Sequence, residues 1–399
     1  MIKENTPVAS SSPRIGLMDL STDAWTAGGV FSRVVAESLD AVTDSAHLRL
    51  VTSGEAKGLP RLQRVKPYWK YQGLRERVTR KLLRNPRPGA LPLTADSAEI
   101  DVLLPILFLT SASDLLPRGK AATVGWIPDF QHEFLPELFD PRELTKRRDD
   151  CRRCAEVNDL VLLSSESVAA DFRQFLPDFA TKARVAPFPS SFAFDPPPES
   201  HVFVRRKYDL PEKFLLVANQ FWAHKNHACV VQALDILRRQ GTDATVVFIG
   251  QLSDGRSHHC PASAILQQIA ELSLRDHVRV LGRVPREDLL ALLREAAAII
   301  QPSKFEGWST TVQDAKALGR PVICSDIATH REQAPQALGF FPVDGPQELA
   351  AILSQTWQDL SPGPHPADEA RALTAERDFA LAYGRTLHGI CAEAVALRK

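Results

Sequence analysis

The 399-residue chain has no net charge, because its 48 Lys and Arg are matched by 48 Asp and Glu. Such a balance leaves no global field to hold nucleic acid, so any anion site must be local. No apolar run approaches the roughly 18 residues of a membrane span, and the opening MIKENTPVASSSPR lacks the apolar core of a signal peptide. The reading is a cytoplasmic protein whose six cysteines, at 151, 154, 229, 260, 324 and 391, are free thiols. With 20 Gly and 29 Pro the chain is near ordinary usage, which excludes collagen-like and low-complexity classes. No internal repeat of solenoid length is visible.

What is present is alternation. Short β-rich runs alternate with helical patterns, the mark of βαβ units and parallel sheets covered on both faces. A first block offers RIGLMDL, LRLVTS, IDVLLPI, ATVGWIP, DLVLLSS and ARVAPF as strands. A second offers FLLVANQ, ATVVFIG, VRVLGRV, AAIIQPS, RPVICSD and GFFPV, with helices at 228–239, 289–297 and 310–318 between them. The insertion from Gly54 to Leu93 is the least regular part. Between the blocks PFPSSFAFDPPPES suits a linker, which places the junction near Ser190 to Ser200. The expected architecture is α/β: two Rossmann-like doubly wound domains, 1–192 and 200–375, with a cleft between them and a C-terminal helix of about 376–399 packing back on the first. Ligands bind such sheets at the carboxyl ends of the strands.

The segment QPSKFEGWSTTVQDAKALGRPVICSDIATHRE, 301 to 332, reads as strand end, loop, helix, strand. Thr310 with Gln313 three positions on forms a capping box, and Gly319 and Pro321 stop the helix. The free N–H groups at the helix start make an anion site suited to phosphate. Glu306 lies just before it and Asp314 within it, eight positions apart. Carboxylates repel phosphate, so both would accept hydrogen bonds from sugar hydroxyls on either side of a diphosphate.

This segment resembles the signature of family 4 retaining glycosyltransferases, the glycosyl transferases group 1 with the GT-B fold, whose hallmark is Glu, seven residues, Glu. Here the second acid is Asp314. The resemblance implies that Glu306 contacts the hydroxyls of the donor sugar and Asp314 the ribose diol, while Gly307, Trp308, Ser309 and Thr310 offer backbone groups. Phe214 to His227 is similar to the family's first strand of the nucleotide domain, with Lys225 at the family's Lys. Asn219 and Gln220 replace its Gly-Arg pair, so one cation on the diphosphate is lost and Lys225 gains weight. Trp25 to Phe31 resembles the glycine-rich loop facing the donor phosphates, with Gly28 and Gly29 allowing close backbone approach. Val280 to Val284 corresponds to the nucleobase pocket, which Arg283 would line. Gly125 to His132 occupies the place of a His-Asp pair; Asp129 aligns with the Asp, and either His132 or Asp129 is the cleft residue, His132 being preferred.

The implied activity is retaining transfer of a sugar from a nucleotide-diphosphate donor to a saccharide or polyprenyl-linked acceptor in cell-surface polysaccharide assembly. No cofactor and no metal are expected, since the sequence has no Asp-x-Asp and Lys225 with the helix start supplies positive charge instead. Two alternatives remain: a nucleotide-sugar epimerase of the same fold, which needs no acceptor, and a non-catalytic scaffold, suggested by Gln220. Cys151-x-x-Cys154 and His258-His259-Cys260 lack partners at metal-ligand spacing, and His224 and His227 are read as shaping the Lys225 loop.

One local charge excess stands out. Residues 61–87 hold ten Lys or Arg against Glu76 alone. Tyr71, Leu74, Val78 and Leu82 would share one helical face with bases around it, and Tyr68 and Trp69 add interfacial aromatics. Such a helix fits an anionic membrane surface or a lipid-pyrophosphate acceptor, and it also fits a helix packed on its own domain with solvated bases.

Overall fold

The structure is a computed structural model that describes residues 12–18, 20, 26–51, 63–65, 100–107, 121–195, 203–253 and 261–398. The chain divides into two compact units. The first comprises Met1–Phe130, Arg142–Pro189 and Phe379–Lys399; the second comprises Gln131–Pro141 and Ser190–Asp378. The segment Gln131–Pro141, which lies inside the expected first domain, thus groups with the second unit.

Among the described residues the first unit holds seven strands: β1 (Ile15–Met18), β2 (Leu48–Val51), β3 (Gln63–Val65), β4 (Val102–Leu107), β5 (Ala122–Ile127), β6 (Leu160–Leu163) and β7 (Ala183–Val185). They form one parallel sheet in the order β3-β2-β1-β4-β5-β6-β7. Six of them coincide with the apolar runs read from the sequence. The seventh, β3, lies in the insertion and pairs its three residues with Arg49–Val51, too short a run to show any period. Every residue of β5 is buried, as expected of a central strand covered on both faces. The proposed helical face of Tyr71, Leu74, Val78 and Leu82 lies outside the described residues, as do Tyr68, Trp69, His258, His259 and Cys260.

The second unit holds β8 (Leu215–Ala218), β9 (Val246–Ile249), β10 (Val278–Gly282), β11 (Ala298–Gln301), β12 (Val322–Ser325) and β13 (Gly339–Phe341). All six pair in parallel in the order β10-β9-β8-β11-β12-β13. Alternation along β8 feeds two cores. Leu215 and Val217 join Val230, Leu234 and Phe248 on one face, while Phe214 and Leu216 join Ile299, Val312 and Leu318 on the other. Burying each such side chain fully is worth about 1.5–3 kcal/mol.

The strand order defines where a ligand can go. From β8 the chain winds outward through β9 to β10, then returns to β11 on the other side of β8 and winds outward through β13. The reversal at β8 and β11 is a topological switch point, and the loops at their carboxyl ends diverge there.

Candidate active site

The loop after β8 carries Lys225 and the loop after β11 carries Glu306, so the switch point brings the two together. Lys225 Nζ donates to Glu306 Oε1 at 2.5 Å. Gln301 Nε2, at the end of β11, donates to the same oxygen at 2.8 Å. Burial alone would raise the Glu306 carboxyl, but the Lys225 ammonium, with His330 nearby, outweighs it and holds the group below its usual value. The Glu306 carboxylate therefore stays charged beside the lysine.

Backbone geometry fixes the lysine. Asn226 sits in the left-handed region at φ 54°, which Asn tolerates better than most residues. Its Nδ2 donates to Val343 O at 2.6 Å and to Pro302 O at 3.2 Å, tying the Lys225 loop to the ends of β11 and β13. Asn219 Nδ2 donates to Gln301 Oε1 at 3.0 Å, and Gln220 beside it is partly exposed. Gly250, after β9, has φ 148° and lies so close that a Cβ would fall 2.1 Å from Asn219 O. The neighbouring loop after β10 holds Arg283, which is exposed.

Glu306 is also held by its backbone: Thr329 Oγ1 donates to Glu306 O at 2.7 Å. His330 is buried beside it, its Nδ1 3.0 Å from Ser325 O, and burial pushes its imidazole pKa down despite the opposing pull of Glu306. His227 is buried and stacked on Phe221 at 4.2 Å between centroids, with burial driving its pKa down to about 3. A ring in that position shapes the loop rather than carrying charge.

The helix Thr310–Ala317 starts one residue earlier than the expected capping box implies. Ser309, not Thr310, is its cap: Ser309 Oγ accepts the Val312 N–H at 3.3 Å, and Thr310 is the exposed first helical residue. Gln313 therefore does not reach back to the cap, and its amide bonds Glu376 instead. The Ser309 backbone is clasped by the Gln333 side chain, which accepts Ser309 N–H at 3.0 Å and donates to Ser309 O at 2.7 Å. Gly307 is buried and Trp308 partly exposed on this approach. Asp314 accepts the Ser190 hydroxyl at 2.6 Å, and burial lifts its carboxyl to about 6.

Phe134 stacks on Phe305 at 5.2 Å, which sets the short helix Gln131–Phe134 against the residue preceding Glu306. His132 in that helix is buried, its Nε2 3.7 Å from Glu133 Oε1. Asp129 belongs to the first unit. So do Gly28 and Gly29, and these correct the expectation of a loop: both lie in the first turn of the helix Thr26–Val42. The buried stripe of Phe31, Val34, Val35 and Leu39 outweighs the roughly 1 kcal/mol that each helical glycine costs.

Among the described residues no cluster of His, Cys, Asp and Glu could hold a metal ion, and no helix is long and apolar enough to cross a membrane. Cys151 and Cys154 are buried free thiols of the helix Pro141–Val157, and burial pushes Cys154 up to about 12.

Residues 203–359, within the second unit, match the family model of glycosyl transferases group 1. The chain is 34% identical over 97 residues to O-antigen chain mannosyltransferase B of Escherichia coli, covering 24% of this chain and 25% of that protein. It is 29% identical over 157 residues to the D-inositol 3-phosphate glycosyltransferase of Salinispora tropica, covering 38% of this chain and 32% of that one. It thus spans about a quarter to a third of these curated relatives. Among solved structures, Anabaena HepE in complex with UDP and glucose superposes with a TM-score of 0.62 at 16% identity, covering 96% of this chain and 99% of that one. The fold is GT-B.

Proposed function

We propose that the protein is a retaining, metal-independent glycosyltransferase that moves a sugar from a nucleotide-diphosphate donor to a saccharide or polyprenyl-linked acceptor in cell-surface polysaccharide assembly. The observation that carries this reading is the partly buried Lys225–Glu306 pair at the switch point, beside the Ser309-capped start of the helix Thr310–Ala317.

The chemistry asks for positive charge where the diphosphate departs. As the bond from the anomeric carbon to the bridging oxygen breaks, charge develops on that oxygen. Lys225 would meet it with its ammonium and the helix start with free N–H groups, while Gln220 adds a neutral donor. Glu306 would accept hydrogen bonds from the sugar hydroxyls, held in the charged state by the same lysine. Asp314 would accept the ribose diol and Arg283 line the base. The relatives support this reading: two are named for glycosyl transfer, and HepE was crystallised with UDP.

The test is thermal stability of the purified protein with UDP, GDP, ADP, CDP or dTDP, each with magnesium and with chelator. A ligand at about 100 times its dissociation constant adds roughly 2.7 kcal/mol. One nucleotide that stabilises equally in both conditions, followed by transfer from its sugar with the anomeric configuration kept, is the expected result. Silence across the panel, inversion, or chelator-sensitive transfer would overturn it.

A further inference from the structure

Asp314 is not held by its own helix. Its Oδ1 accepts the Ser190 hydroxyl at 2.6 Å, and the backbone N–H of that same serine donates to Glu376 Oε1 at 2.5 Å. Glu376, from the helix Pro366–Ala396, also accepts Gln313 Nε2 at 3.0 Å on Oε1 and 2.8 Å on Oε2. Gln313 Oε1 in turn accepts from Gln333 Nε2 at 3.3 Å. Ser190, Gln313, Gln333 and Glu376 are all buried. One serine thus stands between two carboxyl groups that lie 62 residues apart in the chain. Asp is one methylene shorter than the Glu at this place in the motif, so the Ser190 contact has more to do in fixing where its oxygens sit.

We propose that Ser190 and Glu376 are positioning residues for Asp314, setting the place and the ionisation of the carboxylate that receives the ribose diol. The proposal rests on the nucleotide-binding reading above. A carboxylate accepts two diol hydrogens only when ionised, so whatever tunes that ionisation tunes nucleotide affinity.

The groups facing Asp314 have opposite effects. The Ser190 hydroxyl favours the anion, as does Arg286 from the helix Arg286–Glu295, which itself donates to Ser191 Oγ at 2.8 Å. Burial opposes the anion; burial together with the Asp314 charge raises Glu376, which therefore still holds its proton where Asp314 ionises. Lys316, on the same helix as Asp314, moderates Glu376 while donating to Gln333 O at 2.5 Å. With Asp314 at about 6 and Glu376 at about 7, the coupling falls in the working pH range.

Two substitutions therefore act alike and a third restores. Ser190→Ala removes the donor to Asp314, and Glu376→Ala removes the acceptor that holds the Ser190 backbone, so in both Asp314 ionises at higher pH. Glu376→Gln keeps the shape of the protonated acid and one carbonyl oxygen that can accept both Ser190 N–H and Gln313 Nε2, so Asp314 keeps its wild-type midpoint. The experiment measures UDP and GDP affinity from pH 5 to 8.5 for wild type and the three variants, beside the Asp314 carboxyl titration by carbon-13 NMR without nucleotide. At pH 5.5 nucleotide binding should be weaker by about threefold or more in Ser190→Ala and Glu376→Ala and within about twofold of wild type in Glu376→Gln, because one pKa unit is tenfold in the ionised fraction. The NMR midpoints should rise in the first two variants alone. Nucleotide affinity lowered at every pH with unmoved midpoints is the mark of a purely structural role and overturns the proposal. Raised midpoints in a protein that binds neither nucleotide would uphold the positioning of Asp314 and overturn the nucleotide reading alone.

Discussion

Lys225 Nζ lies 2.5 Å from Glu306 Oε1 across 81 residues of sequence, and each partner makes the burial of the other tolerable. Breaking a buried pair by removing one member leaves an uncompensated charge. Lys225→Ala should therefore act twice, withdrawing the cation offered to the diphosphate and letting the Glu306 carboxyl rise towards protonation. Turnover should fall by about 100- to 1000-fold. Steady-state kinetics at pH 7 checks this, and near wild-type turnover would contradict it.

Gly250 occupies a conformation that side chains rarely adopt, against the carbonyl of Asn219. Gly250→Ala should destabilise the protein by at least about 2 kcal/mol, from backbone strain and the clash together. Because the displaced backbone is that of Asn219 and Gln220, nucleotide affinity should fall as well. Urea unfolding and binding on the same sample measure both.

Ser309 caps the helix that follows Glu306. Ser309→Ala should cost about 0.5–2 kcal/mol of stability, while Thr310→Ala, one residue on, should cost little. Equal losses in the two variants would contradict the assignment of the cap.

Burial raises Asp314 to about 6 and Glu376 to about 7, so the folded state holds protons that the unfolded chain, titrating near 3.8 and 4.5, releases. Stability from these groups is therefore fully present below about pH 4 and is lost as pH rises through 6 to 7. Glu376→Gln should remove part of that loss, gaining stability over wild type at pH 8 relative to pH 5 by on the order of 1–3 kcal/mol. Urea midpoints at the two pH values give the sign directly.

Much of the second unit was legible because apolar runs, glycines and a cap recur at spacings set by local backbone geometry. All six of its strands fall on runs visible in the sequence, and Glu306, Lys225 and Asp314 sit on the loops and helix expected of them. Local signals failed where two competed. Thr310 with Gln313 looked like a capping box, but Ser309 stands one residue earlier and Gln313 had a buried carboxylate to satisfy. Gly28 and Gly29 looked like a loop, but the stripe that follows them is helical and wins. Gln333, Thr329, Asn226, Ser190 and Glu376 were not singled out, since each acts through long-range contacts with partners that no spacing rule identifies.

The sequence by itself determined the alternation of strand and helix, and with it the parallel sheets and the edge on which a ligand must lie, because these follow from side-chain periodicity and strand direction. Only the tertiary structure decided that Lys225 meets Glu306 and that Ser190 stands between Asp314 and Glu376. Those meetings depend on strand order, which sets the loops after β8 and β11 side by side, and on burial, which makes an unpaired polar group costly.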